Sequence, residues 1–345
     1  MSVGVFPAAY LPPTQPFPAV PPREALELTW EGWDGSVWPL NAAGSTVRLT
    51  TGTKGLGKGP GEHRRDSSPA LPGERWLSWQ AKPRPVEWDL YVFSKGDEQA
   101  YLDQEEAFWR TMSPRRPGRF TVRAPGRPAR TLTCRFESDG EWAYLRDPVR
   151  FGWARYRVSL MADDQPYWEG EPVVTAFKSA EPRSFLGGGP VGEPGAGPPL
   201  VIGSGSSFAR ARIDNPGDVE TWVEWIACGP CPPGLQLGVN GKVDILGFEI
   251  ADGRAVVLDG DPGRQWALEA TVVTDAAGRP TFDEAGRVRV RDIAAPGSAG
   301  DRTHELTRLS FAPVPPGRDV PLTIRMDGGT GLVGASLVPL HDRGF

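Results

Sequence analysis

The run Val86-Glu87-Trp88-Asp89-Leu90-Tyr91-Val92 places Val86, Trp88, Leu90 and Val92 on one face of a strand and two acidic residues on the other. Alternation with a period of two is the pattern of a strand that buries one face. The run lies within residues 68–168, which decide the fold, because the same segment also holds a helix and further strands at 130–136 and 156–160. This order predicts a compact α+β unit.

Residues 97–112 form the one helix that the periodicity of the sequence predicts. Asp97 and Glu98 suit the positive N-terminus of a helix, and Ser113-Pro114 ends it. The predicted buried stripe consists of apolar residues at helical spacing, namely Tyr101, Leu102, Phe108, Trp109 and Met112.

Length and composition indicate two domains rich in short strands. The chain has 345 residues, with 43 Gly and 37 Pro. We predict a Pro-rich arm at 1–23, a β-rich domain at 24–170, a linker at 171–199 with a Gly/Pro-rich part, and a second domain at 200–345. A net charge of −5 argues against specific nucleic-acid binding.

The N-terminus lacks the basic and continuous apolar regions of a signal peptide, and no apolar stretch is long enough to span a bilayer. We therefore expect a soluble protein, made in a cytoplasm and not inserted into a membrane.

Residues 200–345 show strand patterns at short intervals with turn signals between them, which predict a β-sandwich. Asn240-Gly241 is the dipeptide that a two-residue hairpin favours. The predicted strands are 208–213, 220–227, 235–239, 243–250, 255–258, 265–273, 288–291, 306–311, 320–326 and 332–338.

A long basic loop is predicted at 51–69, and loops of this length are usually functional or disordered. Its start is similar to a phosphate-binding loop, but Gly59 stands where a magnesium-binding hydroxyl is required. We interpret the loop instead as a candidate inter-subunit contact that uses Lys54, Gly55, Leu56, Lys58, Arg64 and Arg65.

The sequence Cys228-Gly229-Pro230-Cys231 has the spacing of a redox motif. The prolines that follow it cannot continue the helix that such a motif needs, so a turn at the end of a strand is the preferred interpretation. A zinc site would need a second close pair of ligands, which the sequence lacks. We predict no metal and no cofactor.

Catalysis finds little support in the sequence. Adjacent acidic residues at strand ends are more often solvated turns, and no nucleophile elbow occurs. The alternative to a structural role is a carbohydrate-binding module, in which Trp222, Trp225 and Trp266 stack on sugar faces. Tryptophan in a β domain is more often part of the core. The sequence therefore predicts no enzyme.

Several sequence motifs, taken in their order along the chain, resemble those of the distal tail protein (Dit) family of siphovirus-like phages, whose members are often called minor tail proteins. In the first domain the motifs are Gly35-Ser36-Val37-Trp38-Pro39-Leu40-Asn41, Lys54-Gly55-Leu56-Gly57-Lys58-Gly59-Pro60 and Ser68-Pro69-Ala70-Leu71-Pro72-Gly73-Glu74-Arg75-Trp76. In the second they are Ile213-Asp214-Asn215-Pro216-Gly217-Asp218, Asn240-Gly241-Lys242 and Phe311-Ala312-Pro313-Val314-Pro315-Pro316-Gly317.

The resemblance implies a mainly β protein: a barrel-like N-terminal domain with one helix, which forms a hexameric ring, and an outer galectin-like β-sandwich. It implies a virion protein of the tail tip, part of the baseplate hub, that joins the tail tube to the hub and its tail-associated lysin. The tape-measure protein, receptor-binding proteins and host glycans are further expected partners in host attachment.

Overall fold

The structure is a computed structural model that describes residues 24–67, 72–140, 146–179, 182–184, 201–203 and 207–345. The predicted Pro-rich arm at 1–23, the start of the motif at 68–76 and the Gly/Pro-rich part of the predicted linker lie outside the described residues.

The first half of the described chain supplies ten strands and two helices. They are β1 (Glu27–Glu31), β2 (Val37–Pro39), β3 (Val47–Leu49), β4 (Gly61–Ser67), β5 (Glu74–Ala81), β6 (Arg84–Phe93), α1 (Glu98–Arg110), β7 (Gly118–Arg123), β8 (Arg130–Ser138), α2 (Pro148–Phe151), β9 (Trp153–Ala162) and β10 (Trp168–Glu169).

The second half supplies the remaining strands and two short 3₁₀ helices, at Ser207–Arg210 and Thr303–Glu305. The strands are β11 (Val173–Lys178), β12 (Pro182–Ser184), β13 (Val201–Gly203), β14 (Arg212–Asn215), β15 (Glu224–Cys228), β16 (Leu235–Val239), β17 (Lys242–Leu246), β18 (Arg254–Asp259), β19 (Trp266–Val272), β20 (Val290–Arg291), β21 (Leu306–Arg308), β22 (Gly317–Arg325), β23 (Leu332–Leu337) and β24 (Leu340–His341).

The first sheet is antiparallel and nearly closed, like a barrel, with the strand order β2-β1-β7-β8-β9-β6-β3. Alternation in β6 buries Trp88 at the centre, as predicted. The Trp88 ring makes edge contacts with Trp30 at 5.4 Å and Phe120 at 5.0 Å between centroids. Such aromatic pairs add to the stabilisation that burial provides.

Helix α1 forms where predicted, with the Asp97 carboxylate accepting a hydrogen bond from the Ala100 amide. Tyr101 and Phe108, seven residues apart, face the core. Leu102 is exposed, so its placement in the buried stripe was wrong. Successive residues lie about 100° apart around a helix axis, so Leu102 lies about 100° away from the buried Tyr101, on the solvent-exposed side.

The second unit is a sandwich of two antiparallel sheets, in the orders β11-β23-β15-β18-β19-β20 and β14-β22-β16-β17-β21. Their facing side chains share one core. Asn240 and Gly241 join β16 to β17 with φ of 51° and 80°, which confirms the predicted hairpin. The chain is thus mainly β, as the sequence predicts.

Two local predictions were wrong. Residues 61–67, assigned to a long loop, form strand β4, which pairs with β5 in a separate two-stranded sheet. Residues 208–210, the start of the strand predicted at 208–213, belong instead to the 3₁₀ helix Ser207–Arg210, which buries Phe208 in the sandwich core. In both places tertiary contacts override the local pattern.

Strand β24 was not foreseen. After the sandwich is complete, the chain returns to the first sheet, where Leu340 and His341 pair with β10. Strand β11, within the segment predicted as a linker, is an edge strand of the second unit. Among the described residues, no helix has the length and apolar character needed to cross a membrane.

Candidate assembly surface

A buried arginine fixes the first part of the predicted inter-subunit loop. Arg84 is 1% exposed, and its Nη1 donates to the carbonyl oxygens of Gly55 at 3.0 Å and Gly57 at 2.6 Å. Leu56, between them, packs against the first core. Lys54, the preceding position of the predicted loop, forms an ion pair with Glu87 of the same chain at 2.6 Å.

The same guanidinium also contacts two distant parts of the chain. Its Nε donates to the Pro166 carbonyl at 2.5 Å, and its Nη2 donates to the Asp342 carbonyl at 2.8 Å. Burial lowers the pKa of Arg84, while the nearby Asp342 carboxylate opposes that shift. Four backbone oxygens therefore satisfy a charge that would otherwise be costly to bury.

The last six residues, 340–345, form what we call the C-terminal strap. Besides the β24 pairing, the Gly344 amide donates to Leu56 O at 2.9 Å, and Arg130 donates to Arg343 O at 2.8 Å. Lys58, another predicted loop residue, pairs with the Asp342 carboxylate at 3.1 Å. The strap thus ties the end of the second unit to the loop and sheet of the first.

The β4–β5 hairpin, residues 61–67 and 74–81, lies outside both main sheets. Arg64 and Arg65, predicted as loop residues, belong to β4 and bond to Gln80 and Glu74 across the hairpin. The side chain of Trp76 is 58% exposed and that of Trp79 is 44% exposed.

A β-bulge gives the hairpin one aromatic face. His63 lies opposite Trp79 and Arg65 lies opposite Trp76, so Leu77 is the extra residue on β5. Without it, residues 76 and 79 would point to opposite faces. With it, Trp76 and Trp79 share one face, and the Trp76 indole donates to His63 Nδ1 at 3.1 Å.

The aromatic face borders a groove of about 420 Å³. Trp79 and His63 form one wall, and Tyr167 and Val219 form the other. Burial raises the pKa of Tyr167, while the Trp79 side chain opposes that shift. Sequence reasoning missed this groove, since it depends on the bulge and on residues far apart in the chain.

The three predicted glycan-platform tryptophans lie in different surroundings. Trp225 is 3% exposed in the sandwich core, so its assignment to a surface platform was wrong. The Trp225 side chain lies on the face of β15 that packs against the opposite sheet. Trp222 lines a pocket of about 290 Å³ with Glu169, Glu224 and Arg264. Trp266 is half-buried opposite Asp259 in the register of β18 and β19.

The Cys228–Cys231 segment is a turn at the end of β15, as predicted. Both thiols are buried, and the Cys231 thiol donates to the Cys228 carbonyl at 3.2 Å. Burial raises the pKa of Cys228 to about 12 and that of Cys231 to about 11. A thiolate nucleophile is therefore disfavoured here. The described residues contain no group of three or more metal-ligating side chains.

Fold and surface together define a mainly β protein of two units, joined by a strap and carrying an exposed aromatic hairpin. The sequence matches no protein-family model and no curated protein.

Three solved structures that are similar to this chain come from phages. One is SPP1 Dit, described as a paradigm of the hub adsorption apparatus in phages that infect Gram-positive bacteria, with 12% identity, 91% of this chain and 98% of that chain covered, and a TM-score of 0.49. Another is the phage p2 baseplate in its activated conformation with Sr, with 10% identity, 90% and 98% coverage, and a TM-score of 0.48. A third is the phage P2 baseplate in its activated conformation with Ca, with 9% identity, 90% of this chain and 98% of that chain covered, and a TM-score of 0.46.

Proposed function

We propose that this chain is a structural protein of a phage tail tip, a distal tail protein that assembles with copies of itself into a ring. The ring, which we expect to be hexameric, joins the tail tube to the tail-tip hub and carries the second unit on its outside. The ordered motifs of the sequence support this proposal, and the exposed aromatic face of the β4–β5 hairpin is the observation that carries it.

Within the part of the chain that the structure describes, the aromatic face of the hairpin stays largely exposed. An isolated two-stranded hairpin is at best marginally stable in water. Trp76 and Trp79 share its exposed face, and each tryptophan that leaves water contributes a large apolar area. Exposed aromatic residues clustered in this way are typical of protein–protein contacts.

The C-terminal strap suits the same role. A subunit that bridges a tube and outer tail-tip components must keep its two units in one orientation. Arg84 and β24 hold the end of the second unit against the first sheet through backbone bonds. We propose a non-enzymatic function, because the Cys231 thiol is bonded to the Cys228 carbonyl and the loop residues Lys54 and Lys58 form ion pairs within the chain.

Sedimentation and negative-stain imaging of the purified chain test this proposal. We expect concentration-dependent assembly into rings with an open centre. A particle that stays monomeric at high concentration, alone and with tail-tube protein added, would contradict it.

The pocket beside Trp222 supports a second candidate, a carbohydrate-binding role for the sandwich. An indole beside carboxylates and an arginine offers a stacking surface and hydrogen-bonding groups for a sugar. Burial raises the pKa of Asp259, which also lines the pocket. A glycan array tests this: saturable binding that Trp222→Ala abolishes, with the fold intact, supports it. Binding that Trp222→Ala leaves unchanged contradicts it.

A further inference from the structure

We propose that the groove along the hairpin's aromatic face receives an aromatic knob from a second copy of this chain, formed by Phe151 and Trp153 together with Tyr91. This inference rests on the proposed self-assembly and identifies the surfaces that would perform it.

The knob is an exposed group of aromatic side chains on the first unit. Phe151 ends helix α2 and is 52% exposed, and Trp153 follows at the start of β9. The Trp153 ring makes an edge contact with Tyr91 at 5.5 Å between centroids. Helix α2 is a single turn capped by Asp147, which makes Phe151 protrude on a short, well-held element.

The knob and the groove lie at opposite ends of the same strand. Arg84, at the base of the hairpin, begins β6, while Phe93, which pairs with Trp153, ends it. Nine steps along a strand span about 30 Å. Two separate, matching patches on one chain make a head-to-tail contact, which closes into a ring when the rotation between copies permits.

The arginine residues around the knob also suit an aromatic groove. Arg48 and Arg155 flank Tyr91 across the neighbouring strands, and Arg146 lies over the Phe151 ring at 5.9 Å. Guanidinium groups stack favourably on indole faces. The groove offers the indole of Trp79, and that of Trp76 lies beside it on the same face of the hairpin. A second copy therefore supplies both the apolar side chains and the cations that this face can bind.

Cross-linking between variants of the full chain that each carry one added cysteine tests the contact. An Arg75→Cys chain is mixed with an Arg150→Cys chain and treated with a short bis-maleimide, because these exposed residues neighbour Trp76 and Phe151 and leave both aromatic side chains in place. The control mixture pairs Arg75→Cys with Leu309→Cys, a residue of the second unit that is 54% exposed. The three native cysteines are buried and should give little background.

We expect cross-linked dimers in the first mixture and background levels in the control. Phe151→Ala should weaken self-association by about tenfold or more, the range of an interface hot spot, with an unchanged far-UV CD spectrum. Equal cross-linking in both mixtures, while the wild-type chain assembles, would overturn the docking and leave the proposed function standing. A wild-type chain that never assembles would overturn both.

Discussion

The guanidinium of Arg84 donates a 2.8 Å hydrogen bond to the backbone carbonyl of Asp342, 258 residues later in the chain. Through this bond the first strand after the hairpin holds the C-terminal strap. The same side chain bonds to Gly55, Gly57 and Pro166. One buried cation therefore fixes the predicted inter-subunit loop, the corner before β10 and the end of the chain together.

Arg84→Met should be strongly destabilising. The variant keeps much of the side chain's volume but leaves four carbonyl groups without their donor, and each buried acceptor left unsatisfied costs about 1–3 kcal/mol. Urea unfolding measures the change in free energy. Arg279→Met, which removes an exposed pair with Asp275, is the control and should leave the free energy of unfolding close to the wild-type value. Equal effects of the two variants would contradict a central role for Arg84.

His341 should make stability fall as the pH drops below neutrality. Burial and the nearby Arg130 lower the pKa of His341, while Asp218 opposes the shift. The unfolded state therefore binds the proton on His341 more readily than the folded state does. The contribution of neutral His341 to stability is present above the ordinary pKa near 6.5 and is lost as the pH falls towards the lower pKa of the folded state. The loss is at most about 1.4 kcal/mol for each pH unit.

Unfolding of the wild type and of His341→Gln between pH 5 and pH 8 measures this effect. The variant should show a shallower pH dependence, whereas His304→Gln, at an exposed position, should match the wild type. If the free energy of unfolding depends on pH equally in the wild type and in His341→Gln, protonation of His341 in the strap does not affect stability.

The thiols of the folded protein should be nearly unreactive. Burial raises the pKa of Cys134, Cys228 and Cys231. Ellman's reagent at pH 8 should therefore label the native chain slowly and label all three cysteines in denaturant. Rapid labelling of Cys228 or Cys231 in the native chain would reopen a redox role for the turn.

Gly61→Ala should disturb the aromatic face of the hairpin. A Cβ atom at this position would lie 2.0 Å from the Trp79 ring, so the ring must move. We expect weaker self-association, by about tenfold, and altered tryptophan fluorescence. Gly57→Ala is the matched control, because a Cβ there meets no atom within 4 Å. If Gly61→Ala assembles like the wild type, the position of Trp79 is unimportant for the contact.

Local patterns in the sequence predict much of this fold, because alternation and capping act between near neighbours. The core side of β6, helix α1 and the Asn240-Gly241 turn could be foreseen for that reason. The candidate surface was foreseen only in part. Lys58 lies beside the strap, while Arg64 and Arg65 lie in a strand rather than a loop.

The sequence by itself determined most of the strands, the main helix and the turn that follows β15. Only the tertiary structure decided that Trp225 is buried, that Trp76 and Trp79 share a face, and that Arg84 meets Asp342. The physical reason is the range of the interactions. A period of two or 3.6 is set by neighbouring residues, whereas a bulge depends on a partner strand and a buried charge on carbonyl groups from distant parts of the chain.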